Sequence, residues 1–97
     1  MKQTGLNSIL IDEINAIAKK HNINKVILFG SRARGDYHRA SDIDLAVSGG
    51  NITRFTLDIE EETSTPLKYD VVNLNENISK QLLKFIESEG IILYEKI

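Results

Sequence analysis

Residues 30–44 read GSRARGDYHRASDID: a glycine-serine turn with two arginines, Gly30-Ser31-Arg32-Ala33-Arg34-Gly35, then Asp36 to Ser41, then Asp42-Ile43-Asp44. Ahead of it lies Val26-Ile27-Leu28-Phe29, and behind it Leu45-Ala46-Val47 runs into Gly49-Gly50. Short runs rich in β-branched and aromatic residues and stopped by glycine read as buried strands. The stretch therefore joins two strands, with a tight turn at the end of the first and two carboxylates entering the second.

A strand that stops at Gly30-Ser31 and turns into a short helix presents free backbone N–H groups and the Ser31 hydroxyl to an anion. A side chain at position 30 would hold a phosphate away from the backbone, and Arg32 and Arg34 add positive charge at the same place. The turn is not a P-loop, because Asp36-Tyr37 stands where that motif requires lysine and a hydroxyl residue.

Asp42 and Asp44, at i and i+2 of a strand, leave the same face with Cα atoms roughly 6–7 Å apart, while Ile43, Leu45 and Val47 take the core face. Two carboxylates aimed the same way resist ionising together unless a cation lies between them. Mg²⁺ suits such a site, since it takes carboxylates together with phosphate oxygens. A two-ion phosphoryl-transfer site needs further carboxylate ligation. Asp70 is the third candidate, because it lies in an apolar run, Tyr69-Asp70-Val71-Val72, where a lone charge is costly. If that run neighbours the Asp42 strand, the three acids converge.

Working outward, apolar residues from Leu6 to Lys20 (Leu6, Ile9, Leu10, Ile14, Ile17, Ala18) recur at helical spacing. Ile52 to Glu62 carries Ile52, Phe55, Ile59 and Leu57 and ends before Ser64-Thr65-Pro66; the spacing predicts a second long helix. Leu67 to Leu74 alternates as a strand. Ile78, Leu82, Leu83, Phe85 and Ile86 form a helical stripe that Gly90 ends, and Ile91-Ile92-Leu93-Tyr94 is a last strand. The order is helix, strand, short turn or helix, strand, helix, strand, helix, strand. It predicts an α+β fold, a small mixed sheet packed with helices, in one domain over residues 1–97. Pattern alone leaves the strand order open.

The 97 residues are 41% hydrophobic and 27% charged, as expected of one small globular domain. Cysteine is absent, which excludes a disulfide frame and a thiolate zinc site. The apolar runs are far short of the roughly 20 residues that cross a bilayer, and Asp12-Glu13 break any signal-peptide core, so a cytoplasmic protein with no membrane association is expected. A formal charge of −2 argues against a broad surface for long nucleic acid. Glu60-Glu61-Glu62 reads as a solvated helix face, and His21 as a helix-end residue facing the dipole.

Gly30-Ser31, ten intervening residues, Asp42-x-Asp44 and a later strand carboxylate at Asp70 together resemble the minimal nucleotidyltransferases of the polymerase β-like superfamily. The resemblance runs through its motifs from about Val26 to Asp70, and the order of elements to Tyr94 also fits. It implies the palm-like nucleotidyltransferase fold, with Asp42 and Asp44 holding two Mg²⁺ ions and Asp70 holding one while helping to deprotonate an acceptor hydroxyl. It also implies that Gly30 and Ser31 bind the distal phosphates of a nucleoside triphosphate, and it places Arg32 and Arg34 in the nucleotide-binding turn without saying which touches phosphate. Small members of this family are often the antitoxin half of a pair with a HEPN-domain ribonuclease toxin, on which they adenylylate a tyrosine using ATP. By that resemblance the chain is an adenylyltransferase antitoxin. The rival readings are a non-catalytic module that neutralises its partner by occlusion, and nucleotidyl transfer to a small hydroxylated molecule. Once the sheet and helices are counted no residues remain for an acceptor-binding domain, which points to an acceptor on a partner.

Overall fold

The first helix opens at Asn7, not at Leu6: the Asn7 side chain accepts a 2.8 Å hydrogen bond from the Leu10 N–H and caps α1, Ser8–Lys20. Asparagine at this position satisfies one of the otherwise orphaned N–H groups of the first turn. The computed structural model describes residues 4–97 and places seven further elements after α1. These are β1 (Lys25–Phe29), α2 (Ser31–Arg34), β2 (Ile43–Ser48), α3 (Ile52–Glu62), β3 (Tyr69–Asn73), α4 (Lys80–Glu89) and β4 (Ile91–Glu95). Asn51 caps α3 by accepting from the Arg54 N–H, and Ser79 caps α4 by accepting from the Leu82 N–H. This is the predicted order of elements.

The strands form one four-stranded sheet in the order β3-β2-β1-β4. β1 runs antiparallel to both β2 and β4, whereas β2 and β3 are parallel and are joined across the sheet by α3. A parallel pair needs such a crossover, and the α3 segment supplies it. The sheet is therefore mixed, as expected, and the strand order that pattern left open puts the two acid-bearing strands side by side.

The two faces are covered unequally. On one, Leu10, Ile14 and Ile17 of α1 and Ile52, Phe55 and Ile59 of α3 pack on Val26, Leu28, Ile43, Leu45 and Val47. Burial of these side chains, at about 25 cal/mol per Å² of apolar surface, is the main stabilising term. On the other face α4 stands alone, with Ile86 buried against Phe29 and Ala46 and with Ile78 and Leu82 half-buried at its flank. One short helix cannot shield its whole stripe on a narrow sheet. Phe85 and Leu83, read from spacing as part of the core stripe, are 50% and 38% exposed, and Ile9 of α1 and Leu57 of α3 also face solvent.

His21 does more than face the end of α1. Its Nε2 lies 2.6 Å from Asp58 Oδ2 on α3, and this pair ties the two helices of the large core together. The hydrogen bond from His21 holds the Asp58 carboxyl below its usual range.

Candidate active site

The uncovered end of the α4 face carries the acids. Asp44 is the register partner of Phe29 on β1 and of Asp70 on β3, so Phe29, Asp44 and Asp70 side chains leave the same face of the sheet. Toward the other end of β2, that face continues into Ala46 beneath Ile86 of α4, which stops short of the carboxylates. Asp42 stands one residue before β2, not within it as the spacing predicted, and is exposed; the ladder starts at Ile43, whose N–H donates to the Lys68 carbonyl at 2.9 Å. The three sequence-predicted acids thus gather at one corner.

The environment of Asp44 reflects the nearby charges. Burial pushes the Asp44 carboxyl up from its ordinary value, the negative charges of Asp70 and Asp42 push it further, and Arg34 opposes the shift. None of the three acids has an ion-pair partner among the described residues, and no three of the side chains close into a ready-made cage, as like charges stand apart. Hard oxygen donors at one corner, mutually repelling and with no arginine or lysine paired to them among the described residues, fit Mg²⁺.

Gly30 ends β1 beside this corner. Its φ of +77° and ψ of −157° lie in a region that only glycine adopts freely, and a Cβ there would run into the Asp44 carboxylate. The turn and the acid platform are in direct contact. Ser31 opens α2, and its hydroxyl has no partner among the described residues.

The two arginines part company. Residues two apart on a helix project about 200° apart, so only one can face the acids. Arg32 is the buried one, at 2% exposure: its Nε donates to the Ser41 carbonyl at 3.1 Å, its Nη1 to the Thr4 carbonyl at 2.9 Å, and its Nη2 lies 3.5 Å from the Arg39 carbonyl. Its guanidinium also lies 4.8 Å from the centre of the Tyr37 ring. These contacts commit Arg32 to ordering the loop between the turn and the acids. Arg34 points the other way, donating through Nε to Asp36 at 3.2 Å and through Nη1 to Glu89 at 3.1 and 3.3 Å.

Glu89, the last residue of α4, is a site residue that carries no signal in the sequence. Its Oε1 accepts from both the Gly30 N–H and Arg34 Nη1, each at 3.1 Å, so one carboxylate spans the turn. Nothing in the segment Glu87-Ser88-Glu89-Gly90 marks the second glutamate as different from the first; only the closure of β4 onto β1 brings it back over the turn.

Similarity to known proteins identifies the family to which this fold belongs. Residues 12–97 match the family described as Polymerase beta, Nucleotidyltransferase. This chain belongs to that nucleotidyltransferase family. A protein of Methanocaldococcus jannaschii named as a protein adenylyltransferase is 36% identical over 92 residues, spanning 84% of this chain and 90% of that one. Among solved structures, a substituted form of the toxin–antitoxin MntA–HpeT superposes with a TM-score of 0.71 at 26% identity, covering 94% of this chain and 75% of that one. A toxin–antitoxin structure with AMP-PNP gives a TM-score of 0.70 at 24% identity over 89% of this chain and 73% of that one, a likeness of fold. The nucleotidyltransferase fold read from the GSRARG and DID segments is therefore the fold of this chain, and among its described residues no helix is long and apolar enough to cross a membrane.

The separation of the arginines in this nucleotidyltransferase is testable. Arg32→Ala leaves the buried Ser41 carbonyl and the part-buried Thr4 carbonyl without this donor and should cost about 3 kcal/mol in urea unfolding, while Arg32→Lys, which keeps the charge but loses the fork, should cost roughly 2 kcal/mol. Arg34 substitutions should leave stability nearly unchanged. An Arg32→Ala protein as stable as the parent but unable to hold a triphosphate would return Arg32 to the nucleotide.

Proposed function

We propose that this nucleotidyltransferase moves AMP from ATP to a tyrosine hydroxyl on a HEPN-domain toxin partner, and so acts as its antitoxin. The observation that carries the reading is the side-by-side pairing of Asp44 with Asp70, with Asp42 near enough for its charge to act on Asp44 and Gly30 against the Asp44 carboxylate. A turn that can hold phosphate touching a three-acid platform is what alignment of a triphosphate for attack requires. The relative named as a protein adenylyltransferase supports a protein acceptor, and the toxin–antitoxin neighbour at 26% identity supports a toxin partner. The cytoplasm, where both partners and ATP meet, is the proposed location, and residues 1–97 are proposed to act as one domain.

Asp42, Asp44 and Asp70 would hold Mg²⁺, with two ions the natural complement of three carboxylates. The metal would neutralise phosphate charge as it builds on the leaving group. Gly30, Ser31 and Arg34 hold the distal phosphates, which fixes the α-phosphorus over the acids. Asp70, exposed at the strand edge, accepts the proton of the acceptor hydroxyl. The hydroxyl oxygen forms a bond to the α-phosphorus, the bond from that phosphorus to the bridging oxygen breaks, and pyrophosphate leaves.

The test is incubation of the chain with Mg²⁺, the product of the adjacent gene, and ATP labelled at the α or the γ phosphate. The α label should appear on the partner and the γ label should not. Inhibition of the partner without label, retained by Asp42→Asn, would replace catalysis by occlusion; label on a small hydroxylated compound but not on the protein would move the acceptor.

A further inference from the structure

The groups read above as the phosphate cradle are already engaged. The Gly30 N–H and the Arg34 guanidinium both donate to the Glu89 carboxylate, at 3.1 Å each, across a sequence separation of 59 and 55 residues. A carboxylate and a phosphate make the same demand on such donors, two oxygens accepting charge-assisted hydrogen bonds, so the two anions cannot use them at once. Arg34 is further bracketed by Asp36, which leaves its single positive charge shared between two carboxylates. With both in place no net positive charge remains at the turn for a third anion.

Glu89 is also poorly placed for a purely structural bracket. Its side chain is only 14% exposed, and it lies close enough to Asp44 for their like charges to oppose each other. The contact with Gly30 and Arg34 is what holds it there. Beside it opens a hollow of about 220 Å³ lined by Phe29, Gly30, Arg34, Leu82, Phe85 and Glu89, so the carboxylate has open space next to it and an incoming anion has a route to the turn. Glu89 ends α4, with Gly90 following, and that helix is the lightly packed one.

We propose that Glu89 is a resident anion of the phosphate cradle, which a triphosphate displaces on binding, so that occupancy of the nucleotide site is coupled to release of the C-terminal end of α4. The proposal rests on the reading of Gly30 and Arg34 as phosphate donors and adds the group that competes with them. Glu89 is thus a gating residue and makes no contact with the reacting atoms. Its charge sets triphosphate affinity, because the fraction of molecules with an open cradle scales the apparent affinity.

The experiment is titration of the chain with ATP and Mg²⁺, and separately with inorganic pyrophosphate and Mg²⁺, by calorimetry, for the parent, Glu89→Gln and Glu89→Ala, with melting curves at each ligand concentration. Glu89→Gln keeps an acceptor for Gly30 but removes the competing charge, and it should bind both ligands about ten-fold more tightly, with a larger ligand-induced rise in melting temperature. In turnover the gain should appear as a lower KM with kcat little changed. Unchanged or weaker binding in folded Glu89→Gln, matched by Glu89→Ala, would overturn the exchange and make Glu89 a bracket for the turn. Failure of the folded parent and both folded variants to bind either ligand would overturn the cradle itself and this proposal with it.

Discussion

Asp44→Asn should lower nucleotidyl transfer by about 1,000-fold or more while leaving the protein, without Mg²⁺, at least as stable as the parent. The first half follows from the position of Asp44 between Asp42 and Asp70, touching the line of Gly30, where loss of one charge removes electrostatic stabilisation from every part of the transferring phosphate. The second half follows from repulsion. Burial, then Asp70, then Asp42 raise the Asp44 carboxyl above its unfolded value. A group raised in this way favours the fold when protonated; that contribution is fully present below the unfolded value and is lost as pH rises through the folded one. At neutral pH the ionised Asp44 therefore weighs against folding, and asparagine relieves it. Melting temperatures in a chelator, followed from pH 4 to pH 8, should fall less steeply for Asp44→Asn than for the parent, and added Mg²⁺ should raise the parent more than the variant. A variant that melts well below the parent at pH 7 in a chelator would mean that Asp44 makes a structural contact that its repulsion conceals.

This site was legible in the sequence to different depths for different residues, and the differences have physical causes. Asp42 and Asp44 could be paired because the strand period of two is local. That Asp70 lies beside Asp44 could not be read from pattern, since it depends on β2 and β3 being neighbours, a relation made by the α3 crossover. The family resemblance supplied it instead. The two arginines look equivalent in GSRARG, yet at 3.6 residues per turn the helix throws them to opposite sides. Only the structure shows which one goes inward, because the partners of Arg32 are main-chain carbonyls of Thr4, Arg39 and Ser41, groups every residue has. Glu89 was invisible for a related reason: its partners are 55 and 59 residues away, and an acid at an exposed-looking helix end is common. The fold was read more fully. Helix and strand periods and the glycine stops gave the element order, while the exposure of Phe85 and Leu83 depends on how little of the sheet one helix covers, a property of the assembled layers.

Gly30→Ala should be damaging in a way that Gly35→Ala is not. Both glycines have positive φ, +77° and +94°, and both substitutions force an L-residue into a disfavoured backbone region. Gly35 lies in the left-handed region with nothing within 4 Å of a new Cβ, so alanine there should cost about 1–2 kcal/mol of backbone strain and little else. Gly30 lies in a region open essentially to glycine alone, at about 1–3 kcal/mol, and its new methyl group would also meet the Asp44 carboxylate. One of the two must move. If the turn moves, the Gly30 N–H leaves the phosphates; if Asp44 moves, it leaves the face it shares with Asp70. Either displacement breaks the alignment of phosphorus and acceptor, where an error of about 1 Å can cost 100-fold in rate. The expected result is transfer reduced at least about 100-fold in Gly30→Ala after correction for the folded fraction, against less than about five-fold in Gly35→Ala. Equal losses in the two variants would show that the turn's backbone conformation governs activity, and that the contact between Gly30 and Asp44 does not set the distance from the phosphate cradle to the acids.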